Sequence, residues 1–263
     1  MKNEIEKIYG LNIDKIEKNE DSTDGNVYML FTSSETYVAK IYEEEAHVKS
    51  MIALSKDLVK NGIHIPEIIA NKHKESYYTL KDHRYFVLYS FLKGKELGKI
   101  FKNLDPNISR NIAKEMKKFH KITAGENKYH LKEVPFEIKQ SFKRYSALHF
   151  DLTRNNIFYN EQWPEKIGFI DFDDAKYGPS IIDVAITISL LYFSKSRGID
   201  REGLHAFLNE YYDTEELRKQ ELPYLKKYAL LWITYLMNHN EFDSSTTESF
   251  EIRKNLIMSN IEF

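Results

Sequence analysis

Cysteine is absent from all 263 residues of the chain. Its absence excludes disulfide bonds, thiolate zinc sites and a cysteine nucleophile. An excess of positive charge is also missing, because the formal net charge is −2. Nucleic-acid-binding domains are typically strongly basic, so the charge balance gives no support for a nucleic acid as partner.

Long hydrophobic runs are missing as well. The opening residues, MKNEIEKIYG, have no continuous apolar core, so we expect no secretory signal there. The longest apolar stretch, Ile181 to Phe193, is interrupted by Asp183, Thr187 and Ser189 and is too short to span a bilayer. We therefore expect a soluble cytoplasmic protein without a membrane partner. The sequence does not distinguish a monomer from a homodimer.

The patterns that are present divide the chain into two parts. In residues 1–92 they predict strands at 27–31, 36–42 and 85–91 and one helix at 43–61. In residues 93–263 helical spacing dominates, and two short strands are predicted at 156–159 and 166–171. The helices predicted in this second part are 107–122, 136–147, 181–193, 201–212, 215–239 and 246–260. We predict an α+β fold with a small, mainly antiparallel β N-terminal lobe and a larger, mainly α-helical C-terminal lobe.

Residues 148–185, LHFDLTRNNIFYNEQWPEKIGFIDFDDAKYGPSIIDVA, contain the residues with the strongest chemical signal. His149-x-Asp151 is followed five positions later by Asn156, and an apolar strand then ends in Asp171. Phosphoryl transfer needs a carboxylate at the attacking hydroxyl and oxygen ligands for Mg²⁺. The pattern assigns the catalytic carboxylate to Asp151 and the metal ligands to Asn156 and Asp171. The spacing is that of a kinase catalytic loop and its metal-binding aspartate.

This segment resembles the aminoglycoside phosphotransferase and choline kinase group of small-molecule kinases, relatives of the eukaryotic-type protein kinases. Val38-Ala39-Lys40 resembles the strand that carries the lysine for the ATP phosphates. Asp24–Tyr28 resembles the turn that covers the nucleotide, and Val87–Gly94 resembles the hinge that holds adenine by backbone groups. The resemblance implies a bilobal protein kinase-like fold, with residues 1–92 binding the nucleotide and residues 93–263 forming the catalytic lobe. The nucleotide contacts that it implies are Lys40, Asn26, Ser90 and Leu92.

The resemblance further implies a Mg-assisted transfer of the γ-phosphoryl group of ATP to a hydroxyl of a small molecule. Aminoglycoside-like antibiotics, amino alcohols, sugars and homoserine-like metabolites all remain as acceptors, and the choice between ATP and GTP stays open. His149 is expected to brace the loop, and Asp183 to cap its helix and hold the loop down. His120 is expected to pack at a helix end. The roles of Asp173 and Asp174 are open.

The chain departs from the family pattern in three places. Its nucleotide loop, residues 19–26, has one glycine, which fits the small-molecule kinases better than the protein kinases. The glutamate expected to pair with Lys40 falls on Met51, and the nearest acids, 43–45, lie nearly two turns earlier. Only about 28 residues separate His120 from His149. This short interval predicts an open acceptor cleft, contacted chiefly by the C-terminal helices.

Two features of these helices bear on the acceptor. A polycationic drug would need an acidic cleft, for which the candidate acids are at 210, 213, 215, 216, 221 and 241. Lys and Arg residues are interspersed among them, which favours the alternative that these acids lie on a solvated helix face. A quaternary ammonium would favour an aromatic cage, for which the candidates are Tyr211, Tyr212, Trp232 and Tyr235, although aromatic residues at helical spacing are more often part of the core.

Two other functional classes compete with the kinase interpretation. One is a nucleotide-binding pseudokinase or regulator without transfer activity, which would have no physical need for Lys40, Asp151, Asn156 and Asp171 together. The other is a metal hydrolase, which would give no role to the Val38-Ala39-Lys40 strand.

Overall fold

The computed structural model describes residues 2–19, 26–101 and 103–260. It divides into two compact units, Met1–Lys93 and Gly94–Phe263. Across the described ranges, no helix combines the length and the apolar character needed to cross a membrane.

In the described residues of the first unit, five strands form an antiparallel sheet that is accompanied by two helices. The strand order is β1-β2-β3-β5-β4. The elements in chain order are α1 (Lys2–Tyr9), β1 (Lys15–Lys18), β2 (Val27–Phe31), β3 (Thr36–Tyr42), α2 (Glu45–Lys60), β4 (Tyr78–Thr79) and β5 (Tyr85–Ser90). The predicted hairpin, helix and third strand are confirmed. Helix α1 was not predicted; Ile5 and Tyr9, one helical turn apart, are buried in the core of the sheet.

The second unit is mainly helical, as predicted. Its helices are α3 (Leu97–Ile100), α4 (Pro106–Ile122), α5 (Ser180–Tyr192), α6 (Arg201–Tyr211), α7 (Glu215–His239) and α8 (Ser244–Asn260). Its short strands are β6 (Lys95–Glu96), β7 (Tyr145–Leu148), β8 (Ile157–Tyr159), β9 (Ile167–Phe169), β10 (Lys176–Pro179), β11 (Phe193–Ser194) and β12 (Gly198–Ile199). All the strand pairs of this unit are antiparallel: β6 with β8, β8 with β9, β7 with β10 and β11 with β12.

The helix predicted at 136–147 is wrong. Residues 123–144 are irregular, and the strand β7 follows them. The apolar side chains there do not form one helical face, because each packs on a different part of the unit. Phe136 stacks on Phe150, whereas Phe142 meets the ring of Tyr224 edge-on. The local spacing of apolar residues therefore suggested a helix, but tertiary contacts determine a different conformation.

Helix α5 is buried on nearly all sides, and the whole unit packs around it. Of its residues only Leu190 is partly exposed, so the helix has no solvated face. A helix that is apolar all round belongs in the middle of a domain. This placement takes the carboxylate of Asp183, in the first turn of α5, completely out of contact with water.

Gly94 shows a close backbone approach at the start of the second unit. Its φ of 139° lies in a region that L side chains rarely adopt, and a Cβ there would lie 2.7 Å from the carbonyl oxygen of Tyr159. This contact lies where β6 pairs with β8, with Lys95 opposite Tyr159. The position therefore requires glycine.

We expect Gly94→Ala to lower the free energy of unfolding by about 2–3 kcal/mol, through backbone strain and the clash with Tyr159. Urea denaturation of the purified protein measures the change. Gly198→Ala is the matched control, because Gly198 also has a positive φ of 69° but nothing lies within 4 Å of its added Cβ. Equal losses for the two variants would show that the clash contributes nothing.

Candidate active site

The loop that follows β7 and the strand pair β8–β9 bring Asp151, Asn156 and Asp171 together. Ile157 of β8 lies opposite Phe169 of β9, and the N–H of Ile170 donates to the carbonyl of Asn156 at 3.0 Å. This register places Asn156 and Asp171 at the same end of the strand pair. Asp151 lies at the other end of the short loop that precedes β8.

Asn156 is directly bonded to Asp151. Its Nδ2 donates to the backbone oxygen of Asp151 at 2.8 Å and to its Oδ2 at 3.1 Å. Both partners are acceptors only, so the NH₂ end of the amide must face Asp151. The amide oxygen of Asn156 is therefore directed away from Asp151, where it can serve as a ligand for a cation.

The carboxylate of Asp151 lies in a strongly negative environment. Burial, followed by the charges of Asp174 and Asp171, raises its pKa to about 7, and the hydrogen bond from Asn156 opposes that rise. Burial and neighbouring anions both disfavour the ionised form. Three carboxylates thus act on one another at this point. Asp174, left open by the sequence, contributes the largest charge effect on Asp151.

Two residues of the site have a left-handed backbone. Phe150 has φ 69° and Asp171 has φ 66°. Aspartate tolerates this region. For a phenylalanine the conformation costs about 1–3 kcal/mol, which contacts with the surroundings must offset. The strain at Phe150 lies immediately before Asp151. The backbone around Asp151 is therefore held by contacts outside the loop.

Asp183 supplies those contacts. The N–H groups of His149 and Phe150 donate to its two carboxylate oxygens at 2.9 and 2.8 Å. Burial alone would raise the pKa of Asp183, but the hydrogen bonds from His120 and from the Phe150 N–H hold it below its usual range. The expectation that Asp183 holds the loop down agrees with this geometry. Its predicted capping role does not, because Pro179 is the N-cap of α5 and Asp183 lies inside the first turn.

His120, at the end of α4, is the third partner of Asp183. Its Nε2 lies 2.9 Å from Oδ2 of Asp183, and its Nδ1 lies 2.6 Å from the hydroxyl of Tyr211. One proton on Nε2 satisfies both bonds, because the Tyr211 hydroxyl can donate to Nδ1. The sequence predicted only a packing role for His120. The hydrogen bonds depend on α5 and α6, which lie far away in sequence.

His149 braces the loop against the strand pair. Its Nε2 lies 2.8 Å from the carbonyl oxygen of Ile170, so this nitrogen carries the proton. Its ring packs on Phe172 with a centroid distance of 4.5 Å. Burial is the largest influence and lowers the pKa of His149, which keeps the ring neutral. A neutral ring bound to backbone fits the predicted bracing role.

Arg154 anchors the far side of the loop. Its side chain is 8% exposed, and its Nε and one terminal nitrogen donate to the carbonyl of Leu191 at 3.2 and 2.6 Å. This carbonyl is one of the last in α5, where helix carbonyls lack partners within the helix. Both ends of α5 therefore bind the catalytic loop.

The predicted nucleotide-binding residues lie on the sheet of the first unit. Lys40 is half-buried on β3, opposite Val27 of β2 and Val87 of β5. The carbonyl of Asn26 accepts from the N–H of Ile41 at 3.0 Å. Ser90 ends β5 and Leu92, two residues later, is buried. Most of the predicted nucleotide loop, including Asp24 and Gly25, lies outside the described residues.

The acids considered as partners of Lys40 are placed as follows. Met51, where the family pattern expects the glutamate, is buried on α2. Glu45 accepts from the Tyr77 hydroxyl at 2.7 Å and pairs with Lys49 at 3.0 Å. The side chain of Glu45 is thus engaged on the β4 side of the helix.

The aromatic and acidic candidates for the acceptor site are mostly committed elsewhere. Tyr211, Tyr212 and Trp232 are at most 2% exposed, so they cannot form a cage, and only Tyr235 is partly exposed. Four of the helix acids pair with a cation. These pairs are Asp213–Lys117, Glu215–Lys219, Glu216–Lys143 and Glu221–Arg144.

The donor set suits a magnesium ion bound together with phosphates. Within ranges 2–19, 26–101 and 103–260, no three His, Cys, Asp or Glu side chains are arranged to hold a metal by themselves. Mg²⁺ usually binds through one or two carboxylates plus substrate phosphates and waters. Asp171 and the directed amide oxygen of Asn156 fit that requirement.

Comparisons with known proteins identify the family and the fold. Residues 15–145 and 127–219 match the model of a phosphotransferase enzyme family (APH). No curated protein sequence matches the chain significantly. Among solved structures, an amicoumacin kinase in complex with AMP-PNP, Ca²⁺ and Ami has a TM-score of 0.76 at 15% identity, covering 98% of this chain and 92% of that one.

Two further structures have the same fold. A microcompartment-associated aminopropanol kinase has a TM-score of 0.74 at 14% identity, covering 97% of this chain and 94% of that one. A spectinomycin phosphotransferase in complex with ADP and spectinomycin has a TM-score of 0.69 at 14% identity, with coverages of 98% and 96%. These likenesses confirm the predicted protein kinase-like fold.

We expect Asp183→Asn to lower the free energy of unfolding by about 3 kcal/mol, because an amide cannot accept from all three donors and places its own NH₂ beside them. Urea denaturation measures the loss. Asp213→Asn is the matched control: its exposed pair with Lys117 should contribute less than about 1 kcal/mol. Indistinguishable stabilities of the two variants would contradict the tethering role of Asp183.

Proposed function

Because the chain belongs to the phosphotransferase enzyme family, we propose that it transfers the γ-phosphoryl group of Mg-ATP to a hydroxyl of a small molecule. The enzyme is a small-molecule phosphotransferase. The proposal adds the phosphoryl donor, the metal and the roles of individual residues.

The arrangement of Asp151, Asn156 and Asp171 carries the proposal. Asp151 is a recessed carboxylate on a loop held by Asp183, and Asn156 fixes its orientation. A base that accepts the proton of a hydroxyl must be held within hydrogen-bond reach of that hydroxyl. A loop bound at both ends of α5 provides this fixed position.

In the proposed step, Asp151 accepts the proton of the acceptor hydroxyl while that oxygen bonds to the γ-phosphorus. The bond from this phosphorus to the β,γ-bridging oxygen breaks, and ADP leaves with the electron pair. Catalysis of this kind depends mainly on positioning and on neutralising charge. Asp171 and Asn156 would hold Mg²⁺, which neutralises charge on the phosphates when bound.

Residues of the first unit supply the nucleotide contacts in this proposal. Lys40 binds the phosphates, backbone groups of Ser90 and Leu92 hold the base, and Asn26 contacts the nucleotide. Support comes from similar structures that contain nucleotides, namely AMP-PNP, ADP and GDP. The acceptors named for them, amicoumacin and spectinomycin among others, support a small hydroxyl compound as the acceptor class.

We expect Asp151→Asn to reduce phosphoryl transfer at least about 100-fold, because the base is lost. Nucleotide affinity should remain, since Asp151 acts on the acceptor. ATP turnover is measured over a panel of hydroxyl acceptors, and nucleotide binding by calorimetry. Asp213→Asn, on the exposed surface, should retain full activity.

A wild-type protein that binds ATP but phosphorylates no acceptor would instead support the pseudokinase alternative. Turnover retained by Asp151→Asn would remove Asp151 from the mechanism.

We expect Mg²⁺ to increase the rise in melting temperature caused by ATP, because a ligand that binds only the folded state stabilises it by mass action. In Asp171→Asn this magnesium-dependent increment should disappear, while the rise caused by nucleotide alone remains. Thermal-shift measurements with ATP, with and without Mg²⁺, give both values. The same increment in the variant and the wild type would exclude Asp171 as a metal ligand.

A further inference from the structure

A half-buried lysine lies next to the catalytic loop and has no role in the step described above. Lys176 begins β10, and its backbone lies opposite Leu148, the last residue of β7. From Leu148 the chain runs through His149 and Phe150 to Asp151. The strand pairing therefore places the backbone of Lys176 opposite a residue that precedes Asp151 by three positions.

The side chain of Lys176 is half-buried, and its ammonium lies at the surface of the protein. Its Nζ donates to the backbone carbonyl of Asp174 at 3.0 Å and lies 5.6 Å from the centroid of the Phe150 ring. Burial lowers the pKa of Lys176, the charge of Asp174 opposes this, and the charge of Lys132 lowers the pKa further. Partial burial and the charge of Lys132 thus both disfavour the charged form of Lys176.

The contacts of this ammonium within the protein leave most of its hydrogen-bonding capacity for water or a ligand. Lysine side chains usually extend their ammonium into water and bury only the methylenes. The contact with a phenyl ring is worth about 0.5–1 kcal/mol, and one carbonyl uses only one of three N–H donors. Within the described part of the chain, the Asp174 carboxylate is not within ion-pair distance of Lys176. Asp174 acts on Lys176 only as a more distant charge, so an anionic ligand would add a direct ion pair.

A continuous row of aromatic rings leads away from the same place. Phe136 stacks on Phe150 with centroids 6.4 Å apart, and Tyr235 meets Phe136 edge-on at 6.2 Å. His239 then stacks on Tyr235 at 4.4 Å. These four residues, called the aromatic row below, lead from the catalytic loop to the exposed end of α7. Phe150 is buried, whereas Phe136 and Tyr235 are half-buried and His239 is exposed, so the last three rings offer a surface for an apolar or planar group.

We propose that Lys176 binds a carboxylate of the acceptor and that the aromatic row packs against the acceptor's apolar or planar body. The acceptor is then a hydroxy acid, with its hydroxyl at Asp151. This inference rests on the proposed phosphotransfer function and narrows its acceptor class. A polycationic aminoglycoside fits less well, because the acids on α7 and before it already pair with lysine or arginine.

Two probes that differ only in charge test the inference. N-benzoyl-L-serine has a hydroxyl, a planar ring and a carboxylate, and N-benzoyl-L-serinamide replaces the carboxylate with a neutral amide. Their affinities are measured by calorimetry with a non-hydrolysable ATP analogue and Mg²⁺ present. We expect the acid to bind the wild-type protein about tenfold more tightly, as for a hydrogen bond between charged groups.

Variants of two lysines separate a specific contact from general charge. Lys176→Gln should lose the preference for the acid, whereas Lys176→Arg should keep most of it. Lys166→Gln is the matched control, because Lys166 is an exposed lysine that also lies over an aromatic ring, 5.8 Å from Trp163. It should bind both probes like the wild type. Melting temperatures check that each variant is folded.

Four results would overturn the inference: equal affinity for the two probes, no binding of the acid, tighter binding of kanamycin than of the acid, or weaker nucleotide binding in Lys176→Gln with acid binding unchanged. The last would place Lys176 at the phosphates. Failure of the proposed function gives a different result, because the acid would still bind preferentially although no acceptor is phosphorylated.

Discussion

Two backbone N–H groups, those of His149 and Phe150, donate to the Asp183 carboxylate, which has no contact with water. An ionised carboxylate loses several kcal/mol of hydration in such a place, and only well-placed donors offset the loss. Here the donors are the catalytic loop itself and His120. The same bonds that compensate the buried charge also hold Phe150 in its left-handed conformation. Stability of the core and geometry of the site therefore depend on one interaction.

The proximity of Asp151, Asn156 and Asp171 could be predicted from the sequence because their spacing is local. Asp151 and Asn156 share one short loop, and Asp171 follows the next strand pair, so no long-range contact was needed to relate them. The bounds of α7, predicted at 215–239, agree with the structure because helical periodicity is also a local property. The pairing of β7 with β10 was not predicted, since Lys176 and Leu148 are far apart in sequence and β10 contains Gly178 and Pro179.

Exposure could not be inferred from residue type. Tyr211, Tyr212 and Trp232 are buried, which agrees with the core alternative and not with a ligand cage, and residue type alone did not decide between the two. The aromatic row joins rings from three separate segments of the chain, and none of its contacts follows from spacing. The wrong helix at 136–147 has the same cause, because Phe136 and Phe142 are fixed by partners that are distant in sequence.

The irregular segment 123–144 is attached to the unit by separate side-chain contacts and by scattered backbone hydrogen bonds, among them those around the bridge between Glu133 and Tyr177. Lengthening a chain between such attachment points costs little, because loop-closure entropy grows only with the logarithm of length. The loop that carries Asp151 does not tolerate such changes in length, since residues at both ends of α5 bind it. In the proposed acceptor site only Phe136 comes from this segment, so insertions or deletions elsewhere in it would reshape the surroundings of the acceptor without loosening the loop that carries Asp151.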